Sequence, residues 1–168
     1  MAQIAREADV STQTVYNSVG AKRDLLVALL TLIDEAGDVA PIHQRIAATS
    51  DPREIVSLVA HLRRRMMEGA GDIVAATHAA AVSDADVREV YAASQTSSRT
   101  GIQRVCMRLD GLGALRAGLS VDTATDAVYA LLHHAVWTRL VDECGWSADD
   151  AERWYAERLA GVLLGAGG

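Results

Sequence analysis

Apolar side chains recur every three or four positions along most of this chain, the spacing at which a helix buries one face. The clearest run contains Ile55, Leu58, Val59, Leu62 and Met66. Phenylalanine is absent and aromatic residues make up only 4% of the sequence, so strands would lack the side chains that favour them. The pattern therefore predicts an all-α protein, and 168 residues with 50% apolar content are enough to bury a hydrophobic core.

Residues that cap helix N-termini divide the chain into eight predicted helices. The cap candidates are Ser11, Asp51 before Pro52, Ser83 or Asp84, Ser120 and Ser147. The predicted helices cover roughly residues 2–8, 12–18, 21–37, 52–69, 72–82, 85–110, 121–143 and 148–164. The segment around Pro41 is predicted to be a connection, and Gly69 and Gly71 are predicted to separate two helices.

The formal charge of the chain is −6, from 16 basic and 22 acidic side chains, so it offers no broad basic surface to DNA or to an anionic membrane. Any DNA contact must therefore be local. Cys106 and Cys144 are far apart in the sequence and belong to no metal-ligand motif, which fits buried, reduced thiols. The sequence has no run of about eighteen apolar residues and no signal-peptide pattern, so we expect a cytoplasmic protein without membrane contact.

Residues 4–16 have the pattern of a helix-turn-helix. A short helix with Ile4, Ala5 and Ala8 on one stripe is followed by a turn and by a second helix with Val15 facing inward. In such a motif the second helix enters the DNA major groove and turns its outward residues toward base edges. The pattern therefore predicts a local DNA-binding surface on the second helix.

The outward residues of this second helix are polar. Gln13 can pair with adenine through two hydrogen bonds, and Thr14 can offer a methyl group to thymine. Tyr16 and Lys22 suit phosphate oxygens. The candidate DNA-contacting residues are Ser11, Thr12, Gln13, Thr14, Tyr16, Asn17 and Lys22.

The same segment resembles the DNA-binding motif of the tetracycline-repressor (TetR) family of bacterial transcription regulators. The matching residues are Ile4, Ala5, Ala8, Val10, Ser11, Val15, Tyr16, Val19, Lys22 and Leu25. The stretches 113–120 and 141–146, together with Trp154, also resemble the dimerisation half of many family members. The resemblance implies a homodimeric repressor that binds a palindromic operator and is released by a small molecule.

Two features depart from the family pattern. Asp9 stands where the family usually has glycine, in a turn that can require positive φ, which aspartate tolerates better than most residues. Family members also carry a helix before the motif, whereas this sequence begins with the motif, so the DNA-binding module at 1–35 is expected to be N-terminally incomplete. Residues 1–24 contain three basic and three acidic side chains, a weak electrostatic footprint for DNA.

Residues 36–168 are expected to form an effector-binding and dimerisation domain, because the family packs its middle helices around a cavity. The expected pocket residues are Met66, Tyr91, Met107, His133 and Trp137, which suit a small apolar effector. The apolar stripes of the two C-terminal helices predict a four-helix interface between two copies. The expected interface residues are Leu132, Val136, Trp154, Leu159 and Leu163.

The remaining polar residues support neither a metal nor a catalytic site. His133 and His134 are adjacent and hence about 100° apart on a helix, which favours pocket or interface roles over metal binding. His61 and His78 are isolated in the sequence, and Arg63, Arg64 and Arg65 are predicted to form a solvated face in preference to an anion site. No nucleophile elbow, phosphate-binding loop or HExxH motif is present, so we expect no enzyme, cofactor or metal.

The leading hypothesis is thus a ligand-responsive, DNA-binding repressor. The alternative is a small-molecule-binding or structural helical dimer in which the absent first helix impairs DNA binding.

Overall fold

The computed structural model describes residues 2–19, 24, 27–28 and 39–165. These residues form the helices α1 (Ala2–Glu7), α2 (Thr12–Val19), α3 (Val39–Ala48), α4 (Pro52–Ala81), α5 (Ala85–Gly111), α6 (Val121–Leu131), α7 (His134–Thr138) and α8 (Ala148–Leu163), with a π-helical turn at Arg139–Glu143. The described residues form no strand, and the all-α prediction is confirmed. Most of the predicted helix at 21–37 lies outside the described residues.

The predicted helix starts are confirmed by side-chain caps. Asp51 accepts a hydrogen bond from the Arg53 amide before Pro52, and Asp84, rather than Ser83, caps α5. Ser120 and Ser147 cap α6 and α8. Each cap satisfies backbone N–H groups that have no partner within the first turn of a helix, so these positions define helix starts.

Two predicted boundaries differ from the structure, and a third is confirmed as a kink. Pro41 lies inside α3, at its third residue, where a proline removes no helical hydrogen bond because first-turn amides have none. Between Gly69 and Gly71 the backbone of Ala70 is non-helical, with φ of −153° and ψ of 24°, so the predicted separation divides α4 into two helical parts at this kink. The predicted helix 121–143 is interrupted at His133, which caps α7 by accepting a hydrogen bond from the Ala135 amide.

Helix α4 is the centre of the domain and packs against α3, α5, α7 and α8. Helix α6 packs against α5 and α8. The largest side chains that this arrangement buries completely include Tyr155, Ile55, Leu109 and Leu159. An isolated antiparallel bridge between Leu115 and Leu164 joins the end of α8 to the loop before α6.

The two cysteines lie in different environments. Cys106 is buried, as expected, and burial raises the pKa of its thiol. Cys144 is exposed, which corrects the expectation that both are buried. It follows the π-helical turn, where the chain leaves the core. Among the described helices, none is both long and apolar enough to cross a bilayer.

Candidate functional site

Helices α1 and α2 pack against each other through Ala5 and Val15, which are buried. Helix α1 ends in a Schellman turn, in which the Val10 amide donates to the Ala5 carbonyl at 2.9 Å. Asp9 occupies the left-handed position of this turn with φ of +53°. The turn thus requires the conformation for which glycine is usual, and aspartate adopts it at a cost of about 1–2 kcal/mol.

Helix α2 presents a polar, exposed face. Ser11 caps the helix, because its hydroxyl accepts a hydrogen bond from the Thr14 amide at 3.0 Å. The Gln13 Nε2 donates to Asn17 Oδ1 at 2.9 Å, so the two amides lie side by side one turn apart. Thr12 is exposed, as are Ser11, Gln13, Thr14 and Asn17. The side chain of Tyr16 and all of Lys22 lie outside the described residues, so five of the seven candidate DNA contacts are located.

A cavity of about 830 Å³ lies in the domain formed by the later helices. Residues of all the helices from α3 to α8 line it. Most of its wall is apolar, with contributions from Ile46, Val59, Leu62, Met66, Val74, Ile102, Val105, Val128 and Leu132. Its volume is within the range of about 300–1,000 Å³ that is common for small-molecule sites.

Three of the five expected pocket residues, Met66, Tyr91 and His133, line this cavity. Met107 does not, and it is 59% exposed. It follows Val105, which faces the cavity, by two residues and hence points about 200° away around the helix. Trp137 is buried outside the cavity, where its ring stacks on that of Tyr155 with 6.1 Å between the centroids.

His133 and His134 line the cavity, and both rings contact that of His78, which lies outside the lining and which the sequence suggests is isolated. The ring centroid of His134 lies 4.7 Å from that of His78 and 4.4 Å from that of His133. Burial, with smaller contributions from His133, His78 and Arg63, lowers the pKa of His134 to about 4. Among the described residues, no group of three potential ligands could hold a metal ion.

Arg63 also lines the cavity, which corrects the expectation that it belongs to a solvated face. Its Nε is buried and has no hydrogen-bond partner among the described residues. Burial lowers the pKa of the guanidinium, an effect that Tyr155 and Tyr91 partly oppose. The next residue, Arg64, instead bridges to Glu68, Asp149 and Glu152 and ties α4 to the start of α8.

The expected dimer-interface residues divide into two groups. Leu159 and Leu163 are buried inside the chain, and Leu132 lines the cavity with them. These three side chains therefore pack within one chain, which corrects their expected role in a dimer interface. Their stripe on α8 packs against the chain's own core. Val136 and Trp154 are partly exposed and stay available to a partner.

Comparison with solved structures identifies a similar fold in a Rhodococcus sp. protein assigned to the TetR family of transcriptional regulators. The two chains superpose with a TM-score of 0.72 at 16% sequence identity, over 96% of this chain and 86% of the other. No model of a known protein family matches the sequence, and no curated protein matches it. The chain therefore has the all-α fold of the TetR-family regulators.

Proposed function

We propose that this chain is a DNA-binding transcriptional repressor that a small molecule releases from its operator. The observation that carries the proposal is the exposed polar face of α2, with Gln13 and Asn17 one turn apart on a helix that packs against α1. This is the placement of a recognition helix in a helix-turn-helix. The similarity to the Rhodococcus protein supports the same function.

The cavity supports the ligand-responsive part of the proposal. Val39, His43 and Ile46 of α3 line it. Helix α3 is the first described helix of the domain at 36–168 and follows the helix-turn-helix module at 1–35 in the sequence. A ligand that binds one position of α3 better than another shifts the population toward that position. In a dimer, this shift changes the separation of the two recognition helices, which must match half-sites about 34–36 Å apart.

We expect this chain to enrich a palindromic sequence from a pool of random DNA duplexes. Gln13→Ala should weaken binding to that sequence by about 1–3 kcal/mol, because it removes a base contact, and should leave binding to unselected DNA unchanged. Fluorescence anisotropy with the selected and an unselected duplex, at several salt concentrations, measures both affinities.

Gln44→Ala is the matched control, since Gln44 is an exposed glutamine on α3, outside the helix-turn-helix residues. It should change neither affinity. Equal losses on both duplexes for Gln13→Ala would contradict a base-reading role. If no sequence is enriched, the alternative of a small-molecule-binding or structural dimer is favoured over a repressor.

We further propose that two copies dimerise through the C-terminal part of the chain. Trp146 is 38% exposed, and its ring lies 6.5 Å from that of the partly exposed Trp154. Exposed indoles that touch each other form an apolar surface of the kind that protein interfaces cover. The proposed seam therefore contains Trp146, Trp154 and Val136 and no longer Leu132, Leu159 or Leu163.

The chain should sediment at twice its mass of 17.9 kDa at micromolar concentration. Trp146→Glu should shift it toward the monomer, because twofold symmetry places two new carboxylates in the seam. Val82→Glu is the control, since Val82 is 77% exposed in the turn after α4. Sedimentation of the unmodified chain as a monomer would contradict the proposal.

A further inference from the structure

The charge of the cavity is opposite to that of the whole chain. The chain carries a net charge of −6, yet the cavity is lined by Arg63, Arg104 and Arg108 and, among the described residues, by neither aspartate nor glutamate. The wall of an apolar pocket therefore has a positive character that its own side chains do not neutralise.

The three arginines are not equivalent. Arg104 is exposed to solvent. Arg108 donates a hydrogen bond to the Thr49 carbonyl, so part of its guanidinium is already bound. The Arg63 Nε is buried and has no hydrogen-bond partner within the described part of the chain, and no carboxylate there forms an ion pair with the guanidinium. A buried guanidinium without a carboxylate partner raises the free energy of the folded state unless a group of opposite charge enters the site.

The surroundings of Arg63 contain a second unused polar group. The Tyr155 hydroxyl is buried, interacts electrostatically with Arg63 and has no hydrogen-bond partner among the described residues. Tyr91 and the histidines His133 and His134 complete the neighbourhood of Arg63. None of these side chains is an anion at neutral pH, so none of them neutralises the Arg63 guanidinium, and an anionic ligand group could.

We propose that the cavity binds a monocarboxylate with an apolar body, and that its carboxylate pairs with the Arg63 guanidinium. The carboxylate accepts a hydrogen bond from the Arg63 Nε–H, a buried donor without a partner among the described residues, and Tyr155, which does not line the cavity, keeps its hydroxyl beside the guanidinium. The aliphatic wall from Val59, Leu62 and Ile102 contacts the apolar body. A phosphate monoester would bring a second negative charge, whereas the other two arginines of the described lining are solvent-exposed (Arg104) or bound to the Thr49 carbonyl (Arg108).

This inference names the ligand class of the proposed function and therefore rests on it for its regulatory meaning. It refines the expectation of a small apolar effector, since the ligand keeps an apolar body and adds one charged end. Ligand binding needs no DNA, so failure of this inference and failure of the DNA-binding proposal are distinguishable.

The test is calorimetric titration of the full chain with octanoate, decanoate and 3-phenylpropanoate, each beside the alcohol of the same carbon skeleton. The unmodified chain should bind each acid at least about tenfold more tightly than its alcohol. Arg63→Met, which keeps an unbranched apolar stem and removes the guanidinium, should weaken acid binding by about 10- to 100-fold and leave alcohol binding unchanged.

Arg65→Met is the matched control. Arg65 lies two residues away on α4, its side chain is 40% exposed, and it faces Glu68 at 3.8 Å instead of the cavity. It should leave the preference for acids unchanged. If Arg63→Met does not fold, Tyr155→Phe replaces it, and this variant should reduce the preference several-fold by removing the hydroxyl beside the Arg63 guanidinium.

Equal affinity of the unmodified chain for acid and alcohol would overturn the proposal. A preference for acids that survives Arg63→Met would also overturn it, because another cation would then hold the carboxylate. So would the absence of binding by every acid below about 1 mM.

Discussion

Truncation of Leu159 to alanine is expected to lower the free energy of unfolding by about 3–5 kcal/mol. The Leu159 side chain has no exposed surface, and it lies on the buried stripe of α8 with Tyr155 and Leu163. Removing its branched end leaves a hole that the rigid neighbours on α4 and α6 fill only in part. Urea denaturation followed by circular dichroism measures the change.

Leu112→Ala is the matched control for this experiment. Leu112 is 40% exposed at the end of α5, so the same chemical change should cost well under about 1.5 kcal/mol there. A protein with Leu159→Ala that keeps its unfolding free energy and loses only its dimeric state would contradict the burial of Leu159. It would restore the interface role that the sequence suggests.

The sequence predicts the helices well because helix starts are local events. Ser120 and Ser147 cap their own helices through amides three residues ahead, so the signal and its effect lie within one turn. The left-handed turn at Asp9 is predictable for the same reason. Gly69 and Gly71 are a local signal of the same kind, since the backbone of Ala70 between them leaves the helical conformation and kinks α4.

The sequence cannot tell what covers an apolar stripe. The stripe through Tyr155, Leu159 and Leu163 is correctly identified as apolar, but periodicity is the same whether the cover is α4 of the same chain or a second copy. The contact between α4 and α8 joins segments about 90 residues apart, as in the hydrogen bond from Arg64 to Glu152. Such pairing depends on the tertiary arrangement and leaves no local pattern.

The cavity residues also divide into those that a local sequence pattern reveals and those that only the tertiary arrangement reveals. Met66 and Tyr91 are found by their place on apolar stripes, and this reasoning also excludes Met107 once Val105 is placed inward. Arg63 carried a usable signal, since it follows Val59 by four residues and so lies on the apolar face of α4. Its position within a run of three arginines hides that signal. The contact of His78 with His134 is long-range and could not be predicted.

The protonation of His134 is the second large effect that we expect. The folded chain lowers the pKa of this imidazole from 6.5 to about 4. The unfolded chain therefore binds a proton at this residue as the pH falls below about 6.5, whereas the folded chain does not until about pH 4. More protons bound to the unfolded state mean that stability falls with falling pH, by about 2 kcal/mol between pH 7 and pH 5 from this group.

Burial is the main cause of this low pKa, and the groups that face His134 add to it. They are His78, His133 and Arg63, and a second positive charge beside Arg63 has no carboxylate to oppose it among the described residues that line the cavity. His134→Gln should remove about 2 kcal/mol of the pH dependence between pH 7 and pH 5, measured by urea denaturation at each pH. Burial also lowers the pKa of the His133 imidazole, so His133 should supply part of the pH dependence of stability that remains in this variant.

The His134 ring should stay neutral at pH 5 in an NMR titration, because protonation would place an imidazolium next to a guanidinium in an apolar wall. A midpoint near the ordinary histidine value of about 6.5 would contradict this account and would require an anion beside His134.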